Sequence, residues 1–304
     1  AYVDTMPIDE QYPLEALHED LFDPRGVEAW VLPEVRSALS RWREEGDPSL
    51  IDLEALPGAR VEAPGVFSFR LLEEGVCRKL LEEVKHYGKS KFPQVAPNSM
   101  NRDGAVLNDI GLRPCFTILL RRYLLGIGAR LFGEESHRAS TLSGVPLGTD
   151  DWGGSKLSIH HTFVVRYTPE TDRGLDMHVD DCDVTWNIGL VDGGAYSGGE
   201  LTFCGMYGEA GYRQKHLSYR PEVDALGRCV VHSGKRRHAV AEVEAGERAS
   251  LIMWSYSLLW RNTEEYKSKA GDIDAGLKPW PPEVDAPDLV CLSMTHDSDY
   301  FSRA

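Results

Sequence analysis

The feature that most constrains this 304-residue chain is a change of texture at Leu157. From there to Ser257 the sequence breaks into short runs rich in β-branched and aromatic residues, punctuated by Gly, Pro and Asp clusters. Such side chains fit a pleated, half-buried surface, and the punctuation supplies turns. The pattern predicts strands near Ser158–Tyr167, Leu175–Val179, Val184–Leu190, Glu200–Phe203, Arg228–Val231, His238–Val243 and Ala249–Ser257. Many short strands after a helical block imply a mainly β fold with flanking helices. The expected core is a double-stranded β-helix, the jelly-roll or cupin-like arrangement.

The helical block lies upstream. VFSFRLL reads as a strand, and the EEGVCRKLLEEVKHY that follows reads as a helix, with Val76, Leu80, Leu81 and Val84 at helical spacing. Pro114–Phe132 is a second expected helix, apolar on nearly every side, so it needs something large to pack against. Pro33–Glu45 reads as a third, with Pro33 suited to the first turn and Gly46 to the end. The expected organisation is an N-terminal extension over 1–63, one domain over 64–262 and a charged, proline-containing tail over 263–304. Within that domain, helical support spans about 64–135 and the jelly roll about 155–262.

Composition narrows the partners. The formal net charge of −15, from 48 acidic and 33 basic residues, repels phosphate backbones and argues against nucleic acid. No apolar run approaches the roughly eighteen residues of a membrane-spanning helix, so no membrane partner is expected. The opening AYVDTMPIDE is acidic, unlike a secretory or mitochondrial leader. Cys77, Cys115, Cys182, Cys204, Cys229 and Cys291 are scattered without C-x-x-C spacing, which suggests neither a zinc ribbon nor a disulfide framework. That usage favours a reducing compartment, cytoplasm or nucleus. Nothing in the sequence indicates an oligomeric state.

Chemistry concentrates in Met177-His178-Val179-Asp180. In a strand, residues two apart face the same way, so His178 and Asp180 can reach one ion. A further His from another strand would complete two imidazoles and one carboxylate, a set that leaves positions open on Fe(II) for a chelating cosubstrate and O2. His160, His161, His216, His232 and His238 are the candidates. His160 and His161 are adjacent and face opposite ways, and His232 sits in VVHSGKRR, a strand-to-turn stretch whose Lys235–Arg237 reads as a solvated turn. His238 opens HAVAEV, and Arg248 follows ten residues later at the start of the next strand. A guanidinium there suits the distal carboxylate of a dicarboxylate such as 2-oxoglutarate. Ser250 shares the face of Arg248 and is a candidate additional donor.

These residues carry a resemblance. H-x-D followed by a distant His, with Arg ten further on, resembles the prolyl- and lysyl-hydroxylase branch of the 2-oxoglutarate/Fe(II) dioxygenases. FVVRYTPETDRGLDMHVDD, VTWNIGL and YSGGELTF are similar to the metal-binding half of lysyl hydroxylases. PGVFSFRLLEEGVCRKLLEEV, PNSMN and HHTFVVRY resemble the animal 2-oxoglutarate- and iron-dependent oxygenase domain-containing proteins. The likeness runs from about Pro64 to Trp260. It implies His178, Asp180 and His238 as iron ligands and Arg248 as partner of the cosubstrate. It also implies that Tyr167 and Asn187 contact the cosubstrate and that PNSMNRDG (Pro97–Gly104) lies over the substrate mouth. Gly189 stands where some prolyl hydroxylases have a second tyrosine.

The activity so implied couples decarboxylation of 2-oxoglutarate to hydroxylation, with ascorbate as a helper. The expected substrate is a prolyl or lysyl side chain in a peptide or protein. Hydroxylation of a free amino acid or other metabolite is the rival, and a non-catalytic metal-binding jelly roll or a zinc hydrolase are readings from other classes. Nucleic-acid demethylases of this chemistry are expected to carry a second arginine six after the first, where this chain has Trp254.

Overall fold

A computed structural model of the chain describes residues 7–132, 141–142, 145–146, 156–206, 213–215, 217–220 and 225–264. His216 and the tail from residue 265 onward lie outside the described residues. Two antiparallel sheets face one another. Their strands are β1 (Arg60–Ala63), β2 (Val66–Arg70), β3 (Gly104–Val106), β4 (Ile159–Tyr167), β5 (Leu175–His178), β6 (Val184–Gly189), β7 (Leu201–Met206), β8 (Leu217–Tyr219), β9 (Arg228–Ser233), β10 (Arg236–Val240) and β11 (Arg248–Tyr256). The larger sheet runs β1-β2-β9-β6-β11-β4-β3, and the smaller runs β8-β7-β10-β5.

Strand alternation explains the layers. On β11, Ala249, Leu251 and Met253 point to the back of the large sheet, into one core with Val164, Trp186, Ile188 and Val231. Its other face carries Ile252, which joins Phe163, Val165 and Tyr167 against Leu201, Phe203 and Val240 of the small sheet. This is the expected jelly roll, with helices on the back of the larger sheet.

The apolar helix is Arg113–Leu119 and Leu125–Phe132 joined by a wide turn, Leu120–Leu124, and its Phe116, Leu120, Leu124, Ile127 and Phe132 are buried in the back core. Gly126 permits a close approach: a Cβ there would lie 2.5 Å from the Trp42 ring. The region read as an extension over 1–63 feeds the same core with Tyr12, Leu21, Trp30, Trp42 and Leu53. Fully buried Glu83, on the helix Glu74–Tyr87, accepts from the Tyr12 hydroxyl and from the backbone N–H of Leu17 (3.1 Å) and His18 (2.7 Å). Packing therefore crosses residue 63.

Three expectations are corrected. Pro33–Glu45 is two short helices, Pro33–Ala38 and Ser40–Glu45, broken where Leu39 adopts φ −97° and ψ −1°. Gly46, at φ 77°, ends the second as expected. The Lys235–Arg237 stretch is a turn only at half-buried Lys235: β10 begins at Arg236, and Arg236 and Arg237 are buried. Gly234 makes the turn earlier, where a Cβ would lie 2.2 Å from the Cys182 carbonyl oxygen, and Arg236 Nη1 donates to the Cys204 carbonyl at 2.9 Å. Finally, Cys204 is disulfide-bonded, whereas Cys77, Cys115, Cys182 and Cys229 are free and buried. Among the described residues, no helix is long and apolar enough to cross a membrane.

Candidate metal centre

β5 and β10 pair so that His178 and His238 lie directly opposite, with ring centroids 4.2 Å apart. Just beyond β5, the Asp180 backbone N–H donates to the Gly234 carbonyl at 2.8 Å, which turns its carboxylate toward both rings. His178 Nε2 lies 3.3 Å from Asp180 Oδ1, and His238 Nε2 lies 3.6 Å from Asp180 Oδ2. All three residues are buried, and their ligand atoms fall within 4.8 Å of one another.

The tautomers follow from the hydrogen bonds. His178 Nδ1 faces the Asp176 carbonyl at 2.7 Å, and His238 Nδ1 faces the Arg236 carbonyl at 2.8 Å. A carbonyl can only accept, so each Nδ1 carries the proton and each neutral ring presents its Nε2 lone pair. Burial pushes His238 down to about 3, against the opposing pull of Asp180, so this ring is neutral near pH 7. For Asp180, burial acts upward but the neighbouring His238 and His178 outweigh it, and its carboxyl sits well below the usual range. Two imidazole lone pairs thus face an ionised carboxylate, an arrangement that repels itself unless a cation lies between. The donor set fits iron, for which two imidazoles and one carboxylate on one side are well suited.

The surrounding cavity is bounded by both sheets and by the segment before β3. Tyr167, Asn187 and Arg248 line it together with His178, Asp180 and His238. Arg248 pairs with Tyr167 across the β11–β4 ladder, and its guanidinium lies 5.4 Å from the centre of the Tyr167 ring. It is buried, yet among the described residues it has no carboxylate partner. Burial pushes the Tyr167 hydroxyl up to about 12 despite the nearby Arg248 and Asn101 side chains, so it remains a protonated donor. Ser250 is buried but lines a neighbouring cavity, which Arg248 and Asn187 also border. Gly189 borders that second cavity as well, and a Cβ there would meet the Ala225 carbonyl oxygen at 2.2 Å.

Among the described residues, the other candidate histidines are not drawn into the cluster. His160 is held between Thr117 Oγ1 (3.0 Å) and Thr162 Oγ1 (2.8 Å), while His161 packs against Phe163 and Trp254. His232 donates Nδ1–H to the Ser233 carbonyl at 2.8 Å and sets its ring 4.6 Å from that of His238. Sequence reasoning passed over Thr185, whose hydroxyl donates to Asp180 Oδ2 at 2.5 Å. Its signal was the T-x-N spacing, which places Thr185 on the face of Asn187. Asn98 and Asn101, which also line the cavity, were noted only as part of a loop over the mouth.

Comparison with known proteins agrees with this geometry. Residues 8–137 match the OGFOD2-like domain. The 2-oxoglutarate and iron-dependent oxygenase domain-containing protein CP2 of Arabidopsis thaliana is 32% identical over 215 residues, covering 67% of this chain and 48% of the relative. The human 2-oxoglutarate and iron-dependent oxygenase domain-containing protein 2 is 32% identical over 189 residues, covering 62% and 47%. Its relatives are 2-oxoglutarate- and iron-dependent oxygenase domain-containing proteins. Mouse procollagen-lysine,2-oxoglutarate 5-dioxygenase 2 is 26% identical over 148 residues, covering 46% of this chain and 18% of that protein. The chain spans about half the length of the first two relatives. The OGFOD2-like match covers the N-terminal and helical half, whereas the metal cluster lies C-terminal to it.

Proposed function

We propose that this chain is a 2-oxoglutarate- and Fe(II)-dependent dioxygenase that hydroxylates a prolyl or lysyl side chain in a peptide or protein. The observation that carries this reading is the buried Arg248 guanidinium, without a carboxylate partner among the described residues, sharing one cavity with His178, Asp180 and His238. A buried cation without an anion is costly, and a dicarboxylate bound at the metal would supply that anion. His178, Asp180 and His238 hold the iron, and Arg248 receives the distal carboxylate of the cosubstrate. Tyr167 and Asn187 donate to the same molecule, and Ser250 supports Arg248 from the neighbouring cavity. Bound iron would supply the redox chemistry, coupling oxidation of 2-oxoglutarate to succinate and carbon dioxide with transfer of an oxygen atom from O2 to a C–H bond. Phe163, Val165, Ile252 and Trp254 form an apolar wall that excludes water and positions the substrate side chain. The name of the mouse procollagen-lysine relative supports a lysyl substrate.

Incubating the protein with Fe(II), 2-oxoglutarate, ascorbate and candidate prolyl or lysyl peptides tests the reading. Oxygen-dependent succinate release that rises with one peptide, together with a mass gain in that peptide, is the expected result. Arg248→Ala is expected to weaken 2-oxoglutarate binding by about 30-fold or more, as for loss of one partner of a buried charge pair. The reading fails if the iron-loaded protein releases no succinate, or if Arg248→Ala leaves 2-oxoglutarate affinity untouched. Stimulation by free amino acids but by no peptide would move the substrate to a small molecule.

A further inference from the structure

Asn101 lies before β3, outside both sheets, and is 1% exposed. A short network fixes which end of its amide faces the cavity. Asn98 Oδ1 accepts from the backbone N–H of Met100 (2.8 Å) and Asn101 (2.7 Å), and Asn98 Nδ2 donates to Asn101 Oδ1 at 3.1 Å. The Asn101 oxygen is therefore engaged. Its Nδ2 is buried, has no acceptor at full hydrogen-bond geometry among the described residues and only approaches the Tyr167 hydroxyl, at the border of the cavity that holds Arg248 and the His178–Asp180–His238 cluster. Buried amide donors are rarely left without an acceptor, because stripping them of water costs stability.

We propose that Asn101 is a binding residue for 2-oxoglutarate, its Nδ2 donating to a carboxylate oxygen beside Tyr167 and Arg248. The inference rests on the dioxygenase reading above and adds a ligand contact from outside the jelly roll. Three observations support it. The Asn101 side chain neighbours the Tyr167 hydroxyl, whose ring lies beneath the Arg248 guanidinium, so three donors converge with no anion among them. The segment is rigid: Asp172 Oδ2 accepts from the backbone N–H of Arg102 (2.6 Å) and Asp103 (2.9 Å), and Arg166 Nη1 donates to Asp103 Oδ1 at 2.9 Å. Gly104, at φ 146°, lies so close to β4 that a Cβ would come within 1.9 Å of the Val164 carbonyl oxygen. The donor is thus held ready before any ligand arrives, which is what selective binding of a small dianion requires.

Calorimetric titration of 2-oxoglutarate into the full chain loaded with Mn(II), which binds the cosubstrate without turnover, provides the test. Asn101→Asp keeps the oxygen that Asn98 grips and replaces only the donor. Asn101→Ala removes the amide altogether. The alanine variant is expected to bind 2-oxoglutarate about 10-fold or more weakly, as for a lost hydrogen bond to a charged group. The aspartate variant should lose more, through like-charge repulsion. Mn(II) affinity and melting temperature should hold in at least one of the two, which a purely structural role for Asn101 would not allow. Unchanged 2-oxoglutarate affinity in either folded variant, alongside weakened binding by Arg248→Ala, overturns the Asn101 assignment alone. If the unaltered protein binds no 2-oxoglutarate, both this assignment and the dioxygenase reading fall.

Discussion

Asp180 has two demands placed on it, to stay ionised and to keep its oxygens aimed at both imidazoles. Beside His238 and His178 its carboxyl already sits well below the usual range, and a cation held between them would meet the first demand. Thr185 meets the second, since its hydroxyl grips Oδ2 while Cys182 Sγ lies 3.1 Å away on its other side. Removing such a supporting hydrogen bond commonly weakens a metal site 10- to 100-fold. Thr185→Val is therefore expected to lower Mn(II) affinity by about 10-fold or more while the melting temperature of the metal-free protein changes little. A titration in which valine binds Mn(II) as tightly as threonine would remove Thr185 from the site. The H-x-D pair was readable because strand alternation puts both residues on one face. For Thr185 the same alternation gives the face it shares with Asn187, but its contact with Asp180 depends on how the chain turns through Asp181–Asp183, which no periodicity encodes.

At the level of elements, β2 and the longer strands from Ser158 onward were legible because each carries branched or aromatic residues bounded by turn formers, and their edges shifted by only a few residues; β1, β3 and β8, three or four residues long, are too short to show alternation and were not read as strands. The Lys235–Arg237 misreading shows the limit. Charge suggests solvent, but β10 pairs on both sides, and the Cys204 carbonyl rewards burial of the Arg236 guanidinium. Gly189 makes a similar point on β6. Its place in the strand is evident, but the reason for glycine is the Ala225 backbone from a distant segment. Gly189→Ala is expected to destabilise the fold by about 1–3 kcal/mol, as for overpacking in a filled interior. Urea unfolding measures this, and an unchanged midpoint would show that Ala225 can yield.

For the whole molecule, the decisive fact is a single back core shared by the N-terminal segments, the helices and the large sheet. Sequence alone placed a boundary near residue 63 because the contact that crosses it, Tyr12 and the 17–18 backbone on Glu83, joins residues more than 60 apart. A protein beginning at Pro64 is expected to be poorly soluble, having lost the cover of Trp30 and Trp42. Full solubility and an unchanged melting temperature would show the two parts to be separable. Acid should weaken the metal-free protein as a whole. Burial, reinforced by Arg113, pushes His160 down to about 4, so on acidification the unfolded chain, with an ordinary value near 6.5, takes the proton first. Its contribution is complete above about pH 6.5 and is lost as pH falls toward 4. His160→Gln should flatten that part of the curve of urea midpoint against pH, measured with chelator present, and an unaltered slope would exclude this residue.

β5 is only four residues long, lies at the rim of the smaller sheet, and is laddered to β10 alone. Its last residue faces His238 across that ladder. An ion gripped by both rings would act as a rivet through an otherwise frayed border. Amide deuterium uptake over Leu175–His178 should therefore slow on metal loading, and chelation should release this strip before any other part of the barrel.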